Sequence, residues 1–279
     1  MSARRNRAKS RYVVTVEIKS PKEIELMRTV NRLAAETLLV VGDEIRAGMT
    51  TLDIDRIVHE HTLSQGARPA PLNYKGFPKS VCTSVNDVVC HGIPGAYVLK
   101  NGDIVNVDVT HVYQGFHGDT SATFYVGTPS AEARHVVEVA REALDVGVAE
   151  VRDGARLGDI GAAIQEYVEG EQCSVVRDFV GHGIGRKFHD SPQVKHYGKR
   201  GTGDRLRAGM TFTIEPMVNL GSWEVQVDAD DKWTVRTVDG SLSAQFEHTV
   251  LVTRGGVEVL TARSRPLRSS ENVAALFVA

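Results

Sequence analysis

Two halves of this chain repeat each other, and that repetition limits the fold more than any other feature. IRAGMTTLDIDRIVHEH from Ile45 aligns with VRDGARLGDIGAAIQEY from Val151, at an offset of 106. VCHGI at Val89 matches VGHGI at Val180, and LKNGDIVNVD from Leu99 matches LRAGMTFTIE from Leu206, pairing Asp108 with Glu215 and His91 with His182. One such match can arise by chance, but three in the same order point to a duplicated helix–helix–strand unit. The expected architecture is therefore mixed α/β (α+β), with pseudo-repeats at about 20–127 and 128–260 forming two lobes about an approximate two-fold. Asp108 and Glu215 then lie near the axis, where the strands of the lobes meet.

The first repeat ends in a hairpin. In NGDIVNVDVTHVYQGFHGDT (101–120), Ile104, Asn106, Asp108 and Thr110 alternate with Val105, Val107 and Val109, and DTSATFYV from Asp119 reads as the return strand. A turn centred between Tyr113 and Gln114, beside Gly115, sets Asp108 and Asp119 roughly opposite each other. Like charges facing across a ladder are destabilising unless a shared proton or a bound cation offsets them.

The remaining segments frame this hairpin. Ser20-Pro21-Lys22-Glu23 is a helix start with a capping box, and Ile24, Met27, Ala34, Leu38 and Val41 form an apolar stripe interrupted once by Asn31. A second helix follows Gly48 with Ile54, Ile57, Val58 and His61 inward; His59 and His61 lack the i, i+4 spacing of a helical metal pair and read as structural or exposed. Residues 71–95 are rich in turn residues yet carry Tyr74, Phe77 and Cys82, as a pocket lining would. A third helix is expected from Thr128-Pro129 and a fourth after Gly158. Two strands follow, from Met210 to Glu215 and in a hairpin around Gly255-Gly256.

Residues 1–15 read as a flexible basic tail, with a ribosomal or RNA contact as the alternative to a solvated arm. Residues 16–265 read as one domain, and 266–279 as a C-terminal tail. Nothing is apolar for long enough to span a bilayer, and Leu38–Val41 is only a short run within an amphipathic pattern. A formal net charge of -2 argues against general nucleic-acid binding by the body. The odd count of 3 cysteines, with no CxxC pair and no export signal, fits the reducing cytoplasm.

Five residues stand out together: Asp108, Asp119, His182, Glu215 and Glu247. Each carboxylate falls in a strand pattern, Glu215 on a face with Thr211 and Thr213, and Glu247 with Gln245 and Thr249. A single carboxylate on a strand is usually a solvated residue, but two of these occupy equivalent places in a duplicated frame. Two divalent ions balance four carboxylates, whereas shared protons would have to suppress several ionisations at once. Oxygen ligands with one imidazole suit Mn²⁺, Fe²⁺ or Co²⁺ at least as well as Zn²⁺. A pair of such ions roughly 3.5–4 Å apart is hydrolytic machinery.

NYKGFPKSVCTSVNDVVCHGIP, DIVNVDVT, GFHGDTS, GHGIGRKFH, TIEPM and SLSAQFEHT together carry a family resemblance. From about Ser20 to Thr261 the chain resembles type I methionine aminopeptidases. The resemblance implies the pita-bread fold, with helices on the outer face of a curved antiparallel sheet, in agreement with the repeat. It also implies removal of the initiator methionine from nascent polypeptide N-termini when the second residue is small, by a monomeric cytoplasmic enzyme.

By that resemblance Asp108 chelates one metal, Asp119 and Glu247 bridge both, and His182 and Glu215 complete the second. Water or hydroxide between them attacks the carbonyl, with Glu215 as proton carrier. His91 contacts the scissile amide nitrogen and His189 its carbonyl oxygen. The methionine pocket draws on Tyr74, Phe77, Cys82, Phe188 and Trp233, whose aromatic faces and soft sulfur suit a thioether. Pro71 stands where relatives carry other small residues. Asn86, Val88 and Ser243 match a site for a monovalent cation, Na⁺ or K⁺. Two rivals are an X-Pro hydrolase of the same fold, usually with a large additional N-terminal domain, and a binding protein that kept the fold without its ligands.

Overall fold

The computed structural model describes residues 16–267, so the basic N-terminal arm and residues 268–279 of the expected C-terminal tail lie outside the described residues. Helix α1 (Pro21–Glu44) starts where its capping box requires: the Ser20 side chain accepts from the Glu23 N–H, and the Glu23 carboxylate accepts from the Ser20 N–H at 3.0 Å. Its apolar stripe lies on the hairpin formed by Ile104–Tyr113 and Phe116–Tyr125. The two backbones come so close that a Cβ on Gly118 would sit 2.7 Å from the Asn31 nitrogen, so only glycine fits there.

The hairpin differs from expectation in register. Gln114 and Gly115, with φ 48° and 78°, form a two-residue turn with both central residues left-handed, so Asp108 pairs with Ser121 and Asp119 with Thr110. The aspartates are thus diagonal neighbours on one face, still within side-chain reach. The turn is centred between Gln114 and Gly115 because the left-handed pair needs both residues.

The repeat survives in the backbone. Helices α2 (Thr51–Ser64) and α4 (Leu157–Gly170) are each preceded by a glycine at φ 88°, Gly48 and Gly154. The Gly48 N–H donates to the Leu99 carbonyl at 2.8 Å, and the Gly154 N–H to the Leu206 carbonyl at 3.0 Å. Isolated bridges join Thr50 to Val98 and Arg156 to Arg205 at matching places. Helix α3 (Ala131–Ala149) begins later than Thr128-Pro129 suggests. Asn101 Oδ1 accepts from the Thr128 N–H at 2.9 Å, which holds 127–129 in a turn, and Ser130 becomes the cap. Helix α4 begins before Gly158, at Leu157, with Asp159 capping the Arg156 N–H at 2.8 Å.

Every strand pairing among the described residues is antiparallel. The second lobe centres on a sheet ordered Gly256–Val259, His248–Thr253, Thr211–Ile214, Gly181–Gly183 and Asp190–Val194. At the seam the lobes are joined largely by side chains. Thr120 Oγ1 donates to the Glu247 carbonyl at 2.9 Å, Thr249 Oγ1 to the Asp119 carbonyl at 2.8 Å, and Thr123 Oγ1 to the Gln245 carbonyl at 2.8 Å. Pro216 interrupts one strand and Phe246-Glu247 the other, so Glu215 and Glu247 sit at strand breaks and not within strands as their pattern suggested. The expected tail from residue 266 is also no free tail at its start, because Leu267 is fully buried in the main core.

Candidate metal centre and pocket

The seam gathers the carboxylates. Asp108, Asp119 and Glu247 each place one oxygen within 4.8 Å of the others. His182 Nε2 lies 3.8 Å from Asp119 Oδ2 and 3.7 Å from Glu215 Oε1. These gaps are too wide for good hydrogen bonds and leave space between the donors. His182 Nδ1 is 3.1 Å from the Gly183 carbonyl; donating there leaves the Nε2 lone pair facing the carboxylates.

Several neighbours hold these groups in place, and sequence reading assigned none of them a role. Thr110 Oγ1 donates to Asp119 Oδ1 at 2.7 Å, and Thr213 Oγ1 to Glu215 Oε1 at 2.7 Å. Gln245 Nε2 donates to Glu215 Oε2 at 3.3 Å, and His196 Nε2 accepts from the Glu215 N–H at 3.1 Å. Asn31, the polar break in the α1 stripe, accepts from the Asp119 N–H through Oδ1 at 3.2 Å and donates to the Met27 carbonyl at 2.8 Å. A buried polar residue on an apolar helix face was the available signal for it. His196, in a loop with no periodicity, gave none.

Burial sets the electrostatics. It raises the Asp108 pKa to about 7 and that of Glu215 to about 8, and carries Asp119 and Glu247 well above the carboxylate range, with neighbouring carboxylates adding to the latter three. Burial also lowers His182 and His91 to about 4, so both are neutral near pH 7. Asp108 Oδ1 and Glu247 Oε1 are buried with no hydrogen-bond partner in the protein. Orphaned carboxylate oxygens, raised carboxylate pKa values and a neutral imidazole together fit a divalent cation site.

A pH dependence follows for the metal-free protein. Its folded-state carboxylate pKa values lie above their unfolded values, so the penalty is absent below about pH 4, builds as pH rises above the unfolded values, and levels off for Asp108 and Glu215 only above about 7 to 8. The buried histidines have lowered pKa values and act only below about pH 6.5. Between about pH 6.5 and 8.5 the melting temperature of metal-free protein should fall, and added Mn²⁺ should restore most at the alkaline end. A flat profile by differential scanning calorimetry would contradict this.

The carboxylates open into a cavity of about 290 Å³. Tyr74, Phe77, Cys82, Phe188 and Trp233 all line it. Trp233 meets Phe77 edge-on at 5.3 Å, and Phe188 stacks tilted on His189 at 4.2 Å. Pro71 and Cys90, within the segment expected to line a pocket, and Phe179 and Met217, which no sequence pattern singles out as pocket residues, also contribute walls. His91, held left-handed at φ 56°, presents its ring edge-on to Phe179 at 5.5 Å and Trp233 at 6.0 Å. His189 lies at the mouth, where burial and neighbouring histidines lower its pKa. A larger hollow of about 840 Å³ between α1 and α2 is lined by dispersed charges such as Arg46, Asp53 and Glu60 and gathers no comparable donor set. Of the residues matched to a monovalent-cation site, Asn86 and Ser243 meet directly: the Asn86 carbonyl accepts from the Ser243 N–H at 2.9 Å. Val88 is buried close by in sequence.

Comparison with known proteins supplies a family. The model for metallopeptidase family M24 matches residues 25–254. A methionine aminopeptidase A of Synechocystis sp. is 54% identical over 248 residues, 88% of this chain and 98% of that protein. The crystal structure of methionine aminopeptidase from Rickettsia prowazekii superposes with a TM-score of 0.88 at 50% identity, covering 89% of this chain and all of that one. An Xaa-Pro dipeptidase from Bacillus anthracis shares the fold at a TM-score of 0.73 and 22% identity, but only 63% of its length is matched.

Proposed function

The chain belongs to metallopeptidase family M24, and from that premise we propose that it is a type I methionine aminopeptidase that removes the initiator methionine ahead of a small second residue. The observation that carries this reading is the juxtaposition of the buried carboxylate–histidine cage with a small apolar-walled pocket. Asp108, Asp119, His182, Glu215 and Glu247 would hold two divalent ions, and the donor set admits Mn²⁺, Fe²⁺, Co²⁺ or Zn²⁺. When bound, such ions supply Lewis acidity and lower the pKa of water.

The chain's own groups supply the rest. The methionine side chain enters between Tyr74, Phe77, Cys82, Phe188 and Trp233, where aromatic faces and a thiol meet its sulfur. The free α-amine points toward Asp108, so only an N-terminal residue fits. His189 donates to the carbonyl oxygen, and His91, neutral at pH 7, contacts the scissile nitrogen. Glu215, with its backbone N–H held by His196 and its carboxylate by Thr213 and Gln245, is placed to carry a proton from attacking water to the departing amine.

On this reading residues 16–265 form a single monomeric catalytic domain, the basic residues before it are candidates for a ribosomal contact, and the C-terminal segment follows. The substrates are nascent N-termini in the cytoplasm. Asn86, Val88 and Ser243 would take a monovalent cation. Among the described residues no helix is long and apolar enough to cross a membrane. A peptide assay tests the proposal: Met-Ala-Ser should be cleaved and Ala-Pro peptides left intact, with activity abolished by chelation and restored by divalent ions. Preference for Ala-Pro would favour the X-Pro rival, and inactivity under every metal the binding-protein rival.

A further inference from the structure

Tyr74 does more than wall the pocket. It stands on a turn whose backbone leaves it little freedom: Asn73, Lys75 and Gly76 are left-handed at φ 66°, 47° and 88°. The Tyr74 N–H donates to the Pro71 carbonyl at 2.9 Å, and the Phe77 N–H to the Tyr74 carbonyl at 2.9 Å. Its ring stacks on His189, centroids 5.3 Å apart and planes 22° apart, and touches Phe188 at 4.9 Å. Its hydroxyl lies 3.0 Å from His189 Nδ1. An apolar wall has no need of that hydroxyl, as Phe77 illustrates in the same cavity.

A neutral imidazole carries one N–H, and the partner of one nitrogen decides what the other presents. For His189 to donate through Nε2 to a substrate carbonyl, Nδ1 must hold the lone pair. A hydroxyl that donates to Nδ1 enforces that state, whereas one that accepts from it enforces the opposite. We propose that Tyr74 is a positioning residue: its O–H donates to His189 Nδ1 and fixes the Nε2–H tautomer at the angle the reaction needs. This rests on the reading of His189 as the donor to the carbonyl oxygen. Phe188, stacked on His189 at 4.2 Å, and His182, at 4.2 Å from the same ring, limit the remaining tilt.

Tyr74→Phe keeps the ring, the stack and the pocket wall and removes only the hydroxyl. With Met-Ala-Ser as substrate and Zn²⁺ as the metal, kcat should fall by about tenfold to hundredfold while KM changes by less than about twofold, since a misaligned donor loses part of what a missing one would cost. Zinc content should stay at the wild-type value. Nitrogen NMR of the zinc-loaded full chain with labelled histidine should show His189 with an unprotonated Nδ1 and a protonated Nε2, and a mixture in Tyr74→Phe. If Tyr74→Phe keeps the wild-type kcat while His189→Ala is impaired, the hydroxyl is idle and the proposal falls. If His189→Ala is itself unimpaired, the assignment of His189 fails and takes this proposal with it.

Discussion

Asp119→Asn should lose the paired-metal stoichiometry and lower kcat/KM by at least about a thousandfold, roughly 4 kcal/mol of transition-state stabilisation. The substitution is close to isosteric. Its amide oxygen can still accept from the Thr110 hydroxyl, which stands 2.7 Å away in the wild type, and its backbone N–H can still donate to Asn31. What disappears is a charge at the point where the oxygens of Asp108 and Glu247 and the imidazole of His182 converge. Metal-free Asp119→Asn should melt no lower than metal-free wild type above about pH 7, because a buried carboxylate among like charges opposes folding. Inductively coupled plasma analysis and calorimetry read both effects. Full metal content with near-normal turnover would remove Asp119 from its assigned place.

His91→Ala should separate chemistry from metal binding. The His91 ring is held edge-on against Phe179 and Trp233, and burial keeps it neutral. Its backbone is fixed by the next residue, since a Cβ on Gly92 would lie 2.1 Å from the Thr83 carbonyl oxygen. Removing the imidazole should leave both ions bound and lower kcat by about a hundredfold to a thousandfold, with little change in KM, as when one donor to the reacting amide is lost. Metal analysis of the purified variant beside its steady-state kinetics checks this. Loss of metal would make His91 a ligand and its outer role wrong.

Much of this was legible because duplication writes the same backbone twice. The equivalence of Asp108 with Glu215 needs only that two similar stretches fold alike, and the matched glycines Gly48 and Gly154 show that they do. Alternation placed Asp108 and Thr110 on one face correctly, but pairing register depends on turn geometry, and the left-handed pair Gln114-Gly115 moved the partner of Asp108 to Ser121. Apolar alternation runs through Glu215 and Glu247 as it would within strands, but Pro216 and the seam between lobes break the ladders at those points. Supporting contacts were hardest to foresee. His196 reaches the Glu215 backbone from 19 positions away, and Asn31 reaches the Asp119 N–H from 88 away. Such tertiary hydrogen bonds have no period for a sequence pattern to display.

Anomalous diffraction from crystals soaked in Mn²⁺ would locate the ions themselves. Two peaks roughly 3.5–4 Å apart are expected, with Asp119 and Glu247 touching both, Asp108 one, and His182 and Glu215 the other. A lone peak elsewhere, or none near these side chains at saturating metal, would contradict this arrangement.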